Sequence, residues 1–196
     1  MPIDVFVGRR HHGAPHSLRA MASSIGHFVA GTTVAEVFQS RLQVRRWRVV
    51  LGVMAVIPDI DLLAGVIHRP YDALVHRTAS HSISAGLLAG VVVGTIVLGG
   101  PDRKAALPAS VATVLAYISH ALIDAATSYG DGVALYWPFA LTRVVLPWRP
   151  IGEIGSLADM SAPAIALALV ANETLLVVMP CLLLIAVARR YVRACS

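Results

Sequence analysis

Several apolar runs, each about as long as a bilayer is thick, constrain this chain more than any other feature. The hydrocarbon core of a membrane takes roughly 20 residues of helix, with a range of about 17 to 25. Residues 47–66 are apolar except for Asp59 and Asp61, 82–100 are almost wholly Ala, Val, Leu, Gly and Ile, and 106–126 are interrupted only by His120 and Asp124. Residues 163–188 form a fourth run, broken by Asn172-Glu173 and Pro180, and 21–40 form a fifth that carries His27, Thr32, Thr33 and Glu36. The pattern predicts an all-α integral membrane bundle of about four or five transmembrane or membrane-embedded helices. The segment 21–40 is either a polar-lined span or an interfacial helix. No internal repeat is visible.

Composition agrees with that class. The chain has 196 residues, 57% of them hydrophobic and 14% charged, with a mean hydropathy of +0.71. A net charge of +5 would suit nucleic acid if it formed one polar face. The basic residues instead sit in short clusters beside apolar runs, so the lipid bilayer is the expected partner and nucleic acid is not. Cys181 and Cys195 have no CxxC spacing and lie far from every histidine, which argues against a thiolate site.

Residues 1–20 are polar, irregular and without the apolar core of a signal peptide. They are expected to be a disordered extension, with Met21 a possible alternative start, and 21–196 to be a single membrane-embedded domain. His11, His12 and His16 are read as residues of that basic tail. Lys and Arg in short loops favour the cytoplasm. The clusters Arg41-Arg45-Arg46-Arg48, Arg103-Lys104 and Arg189-Arg190-Arg193 fall on one side if the runs cross alternately. This predicts a multi-pass protein of the plasma (inner) membrane, with its acidic and histidine residues near the extracytoplasmic face. Arg69, Arg77, Arg143 and Arg149 lie on that same side and oppose the rule.

Ionisable residues inside a membrane cost about 2.5–3.5 kcal/mol each on insertion scales, so several at one depth need compensation. Shared ligation of a cation provides it. His120 and Asp124, spaced i and i+4, share one helix face and can grip one metal, although a simple His–Asp hydrogen bond has the same spacing. Pro58-Asp59-Ile60-Asp61 offers two carboxylates behind a proline, where either Asp also suits a helix cap. His76-Arg77-Thr78-Ala79-Ser80-His81-Ser82 offers two histidines, His76 from a loop and His81 from a helix start, with Arg77 to hold an anionic group such as phosphate or a lipid headgroup. Imidazole and carboxylate without thiolate favour Zn²⁺, with Mn²⁺ or Fe²⁺ next. Such a site activates water for hydrolysis, with a carboxylate such as Asp61 positioning it.

At these residues the chain resembles the YdjM-type family of membrane-bound, metal-dependent hydrolases. The likeness covers about residues 23–140 and rests on Gly26-His27, Pro58-Asp59-Ile60-Asp61, His76-Arg77, His81-Ser82, His120 with Asp124, Gly130 and Trp137-Pro138-Phe139. The family is considered distantly similar to zinc-dependent phospholipase C and the S1/P1 nucleases. The resemblance implies a metal site of His27, Asp59, Asp61, His76, His81, His120 and Asp124, and the residue chemistry above assigns Asp61 and Arg77 the catalytic roles. The resemblance also implies a phosphoester substrate, with a lipid as the expected class. Those distant enzymes use further ligands after the HxxxD helix, whereas this chain has no histidine beyond His120. Glu173 is either a substitute ligand or part of an Asn172-Glu173 polar contact between helices. Two other classes suit the same residues: a proton or metal-ion transporter, and a non-catalytic scaffold that keeps a metal for stability. Clustering at one end of the helices favours the hydrolase over a pathway across the bilayer.

Tyr136-Trp137-Pro138-Phe139 and Pro147-Trp148-Arg149-Pro150 read as interfacial anchors. Asp131, Glu153 and Asp159 are expected to cap turns or helices, and His68 to lie on the surface.

Overall fold

A computed structural model describes residues 24–39, 41–42, 44–61, 76–98, 103–128, 132–152 and 163–195. Six helices account for most of them: α1 (Ser24–Val37), α2 (Val44–Met54), α3 (Ile83–Leu98), α4 (Ala106–Ala125), α5 (Pro163–Glu173) and α6 (Met179–Cys195). Short 3₁₀ turns cover Ile57–Ile60, Ala79–His81 and Arg103–Ala105, and a π-helical stretch, Thr174–Val178, joins α5 to α6. The described residues form no named strand, only isolated bridges, Thr127 with Ile151 and Val133 with Val144. The tail histidines His11, His12 and His16, together with Met21, His68, Arg69, Gly130, Asp131, Glu153 and Asp159, lie outside the described residues.

The run predicted as one span over 47–66 does not form a single helix. Helix α2 stops at Met54, and the chain passes into the 3₁₀ turn that contains Pro58. Proline has no N–H to give to the ladder, so the helical register is lost there. The run at 82–100 yields a 16-residue helix. Among the described residues two helices are long and apolar enough to cross a membrane, Arg103–Ala125 and Pro163–Ala194. They differ in surroundings. The apolar window of the first is 44% buried within the protein and that of the second only 6%. An apolar helix that bare has no place in water, and at 32 residues and about 1.5 Å per residue it exceeds the ~30 Å hydrocarbon core. Its π-helical stretch ends just before Pro180, which has no N–H to give to an α-helical ladder.

Small residues set the core. Ala109, Ala112 and Ala116 recur along one face of α4 and, with Ala105 just before it, pack with Ala35, Leu42, Trp47, Leu51 and Ala55 of the α1–α2 region. The α1–α2 approach depends on Gly31, where a Cβ would stand 2.8 Å from that of Ala55. The α3–α4 approach depends on Gly90, where a Cβ would stand 2.9 Å from the Ser110 carbonyl oxygen. Helix α1 buries one face in this packing and carries a polar group at each end of that face. Near its start is His27, fully buried, and near its finish is Glu36, 1% exposed. Nine residues of helix put them roughly 13 Å apart along the axis. Glu36 accepts bonds from Arg48 of α2 and from Arg189 of α6, the latter at 2.9 and 3.1 Å. Two of the three basic clusters thus meet at one carboxylate, at the opposite end of α1 from His27.

Candidate metal centre

The turn that ends α2 also creates the first anchor of the site. In a continuing α-helix the Ala55 carbonyl would accept from the Asp59 N–H, but that N–H turns to Val56, at 3.1 Å. The Ala55 carbonyl is left for His120, whose Nδ1 lies 2.7 Å away. A carbonyl only accepts, so His120 Nδ1 carries the proton and its Nε2 presents a lone pair. His81 is fixed in the same tautomer by a longer chain. The Ser80 hydroxyl donates its one proton to Asp61 Oδ2 at 2.6 Å and must therefore accept from His81 Nδ1 at 2.9 Å. His81 Nε2 then faces inward as an acceptor. The two Nε2 atoms stand 3.1 Å apart.

Two carboxylates close around these nitrogens. Asp59 Oδ1 lies 3.1 Å from His120 Nε2 and 3.6 Å from His81 Nε2. Asp124 Oδ2 lies 3.4 Å from His81 Nε2 and 3.6 Å from His120 Nε2. All four donor atoms fall within 4.8 Å of one another. Zn–N and Zn–O distances of about 2.0–2.2 Å put neighbouring donors in a tetrahedral shell roughly 3.3 Å apart. The edges measured here, 3.1 to 3.6 Å, bracket that value. Both oxygens of Asp59 and of Asp124 make no hydrogen bond of ordinary geometry, although they are buried. Buried polar atoms without partners are rare in folded proteins. A divalent cation held by Asp59, His81, His120 and Asp124 would give each carboxylate a ligating partner, and the donor set fits such an ion.

His27 flanks this group. Its ring stacks on that of His120 with centroids 3.7 Å apart, and its Nε2 lies 3.6 Å from Asp124 Oδ1, the carboxylate oxygen not directed at His81. Both of its ring nitrogens are buried without a hydrogen bond. It is thus placed to approach the same carboxylate from the other side.

Asp61 and His76 lie one layer out. Asp61 Oδ1 meets His76 Nδ1 at 2.7 Å, while Oδ2 takes the Ser80 proton and lies 3.4 Å from His81 Nδ1. The ring of His81 therefore separates the two carboxylates of the Pro58–Asp61 turn. Asp59 faces its Nε2 and Asp61 its Nδ1. Asp61, His76 and His81 form a second group of potential donors, but one in which Asp61 is already engaged by its neighbours. Burial alone would lower the His81 pKa, yet the carboxylates of Asp124, Asp59 and Asp61 around its ring push it up to about 10.

Arg77 points inward as well. Its Nε lies 3.2 Å from Asp124 Oδ2, and the residue is 4% exposed. This arrangement needs a left-handed backbone at Arg77, φ 59°, which non-glycine residues seldom adopt. The neighbouring chain holds the turn in place. Ala134 N–H donates to the Arg77 carbonyl at 2.9 Å, and Arg143 donates to the His76 carbonyl and to Gly132 O, both at 3.1 Å.

Ser80 and Arg143 are the contributors that sequence reasoning missed. Ser80 adjoins His81 in the quoted motif and was its most accessible signal. Arg143 comes from the irregular segment after α4, where no periodicity marks it. Glu173 lies with its carboxylate against Gly26, next to His27. Asn172 accepts from Gly152 N–H at 2.7 Å and donates to the Pro150 carbonyl at 3.1 Å, tying α5 to the segment after α4.

No curated protein and no solved structure matches the chain. The family model described as YdjM inner membrane protein matches residues 21–194, a span that contains every residue of the cluster. Helices that need lipid, a buried His/Asp cluster and this match together place the chain in the YdjM inner membrane protein family.

Proposed function

We propose that the chain is a multi-pass membrane hydrolase that cleaves a phosphoester, with a lipid as the favoured substrate class and zinc as the favoured metal. The observation that carries this reading is the pair of inward-facing Nε2 lone pairs of His81 and His120, closed by two carboxylates. Asp59, His81, His120 and Asp124 would hold the cation, with His27 at its edge. When bound, a divalent cation supplies Lewis acidity, which acidifies a water to a pKa of about 7 and polarises a phosphoryl oxygen.

The remaining work falls to the chain's own side chains. Ser80 and the Ala55 carbonyl hold the imidazoles of His81 and His120 in the ligating tautomer. Asp61 and His76 form a hydrogen-bonded pair of the kind that holds or passes a proton, on the more accessible side of the cluster, both with side chains 10% exposed. Arg77 steadies Asp124 and supplies positive charge beside the position of an anionic substrate.

The meeting of Arg48 and Arg189 at Glu36 supports a common cytoplasmic side for the basic clusters. The metal centre then belongs to the extracytoplasmic half, in a bundle of four or five membrane-embedded helices that includes α1 and α3. The deep burial of the donors favours a second reading, a metal kept for stability alone. The test is turnover by zinc-loaded protein in detergent on phospholipids and generic phosphodiesters, with His120→Ala as control. Hydrolysis by the wild type alone supports the enzyme. Equal rates in both proteins, or none in either, defeat it.

A further inference from the structure

The metal cluster has an apolar neighbour. A groove of about 380 Å³ runs between α1, α2 and the 3₁₀ turn, lined by Phe28, Val53, Val56, Ile57, Asp59 and Ile60. Its size lies within the range of ligand pockets, ~300–1,000 Å³. Among the described residues its only polar lining is Asp59, the carboxylate that faces the Nε2 atoms of His81 and His120. Both Asp59 oxygens are buried without a hydrogen bond. The rest of the described lining is hydrocarbon, and Phe28, Val53 and Ile60 are 37%, 46% and 61% exposed.

Other apolar faces of the protein, such as Leu88 and Val92 on α3 or Leu183 on α6, are also bare. The groove differs from them in being concave and in ending at a metal-site carboxylate. A ligand that fills it needs an apolar tail and a polar end at the cation, within one molecule. Gly52 helps to shape the groove, because a Cβ there would meet the Phe28 ring at 2.6 Å. Any larger residue would push that ring out of its seat.

We infer that this groove takes one hydrocarbon chain of a membrane lipid, directing the lipid's polar head to the metal centre beside Asp59, so that the substrate enters sideways from the bilayer. The inference rests on the hydrolase reading for the word substrate, but the binding it describes can be measured without turnover. Lateral entry also reconciles a buried cluster with catalysis on an amphiphile, since the chain need not leave the apolar phase.

The test is photolabelling of the full chain in nanodiscs of phosphatidylglycerol and phosphatidylethanolamine, a fraction of which carry a diazirine in one acyl chain. Cross-links are mapped by mass spectrometry in the wild type, Val56→Trp and Gly52→Leu, with zinc content as the check on folding. Labelling at Val53, Ile57 and Ile60 should exceed that at Leu88, Val92 and Leu183 by at least about fivefold, and each variant should lose most of that excess. Even labelling of both faces in the wild type overturns the inference, as does a groove signal that both zinc-replete variants retain. The companion turnover assay separates the two claims. Groove labelling without hydrolysis leaves the lipid site and removes the enzyme, whereas hydrolysis of a soluble diester without groove labelling does the reverse.

Discussion

His81 and His120 present their Nε2 atoms to each other across 3.1 Å, each with its Nδ1 committed elsewhere, His81 to Ser80 and His120 to the Ala55 carbonyl. At that distance either a proton on one Nε2 or a cation between the two must join them. The carboxylates of Asp59 and Asp124 on either side add negative charge to the same point.

Ser80 touches no proposed metal position, yet it sets the tautomer of His81 through the relay from Asp61. Residues that orient a ligand in this way typically contribute 10–100-fold to affinity. Ser80→Ala is therefore expected to weaken zinc binding by about that factor, read by competition with a chromogenic chelator. Unchanged affinity would show that the relay has no part in holding His81.

Arg77 and Asp124 form a buried pair at 3.2 Å. Removing one member of such a pair typically destabilises by about 3–5 kcal/mol, because the other charge is left uncompensated. Arg77→Met should lower the thermal midpoint of the chelator-treated protein sharply. It should lower that of the zinc-loaded protein less, since the cation still neutralises Asp124.

The pKa of His81 predicts opposite pH behaviour with and without metal. Its folded value of about 10 lies above the ordinary 6.5, so protonation of His81 stabilises the stripped protein fully below pH 6.5 and is lost as pH rises toward 10. Differential scanning fluorimetry should show the midpoint of chelator-treated protein falling across that window. Zinc-loaded protein should hold its midpoint there, because metal replaces the proton on the same lone pair.

Helix packing offers a check on the scaffold. At Gly31 even a single methyl would stand 2.8 Å from the Ala55 Cβ, and overpacking of this kind costs about 1–3 kcal/mol. Gly31→Val should lower stability by that order and displace the α1–α2 pair, seen as reduced zinc retention on dialysis. Wild-type stability and zinc retention in the variant would contradict the close approach.

Much of the site could be read from spacing. The i, i+4 pair His120 and Asp124 fell on one face of α4, and His81 stood at the entrance to α3. Asp59 and Asp61 were expected only as two carboxylates behind a proline, and the 3₁₀ turn sends them to opposite edges of the His81 ring. Turn geometry of that kind has no one-dimensional signature. Arg77 was expected to hold an anionic group, and a left-handed backbone sets it against the carboxylate of Asp124, a contact that spacing does not reveal. Apolar content over 47–66 suggested one span, and it was Pro58, visible in the sequence, that ended the helix. Hydropathy averages over such a break because it counts side chains and ignores backbone hydrogen bonds. The partners of Glu36 come from residues as distant as Arg189, a pairing that only tertiary structure reveals.

The most direct test of the central claim is the metal content of the purified protein, measured by inductively coupled plasma mass spectrometry after incubation with zinc and gel filtration. The wild type is expected to retain at least about one equivalent of zinc, and His120→Ala and Asp124→Asn to retain little. Wild-type protein that keeps less than about half an equivalent of any transition metal, or variants that bind zinc as the wild type does, would contradict the account.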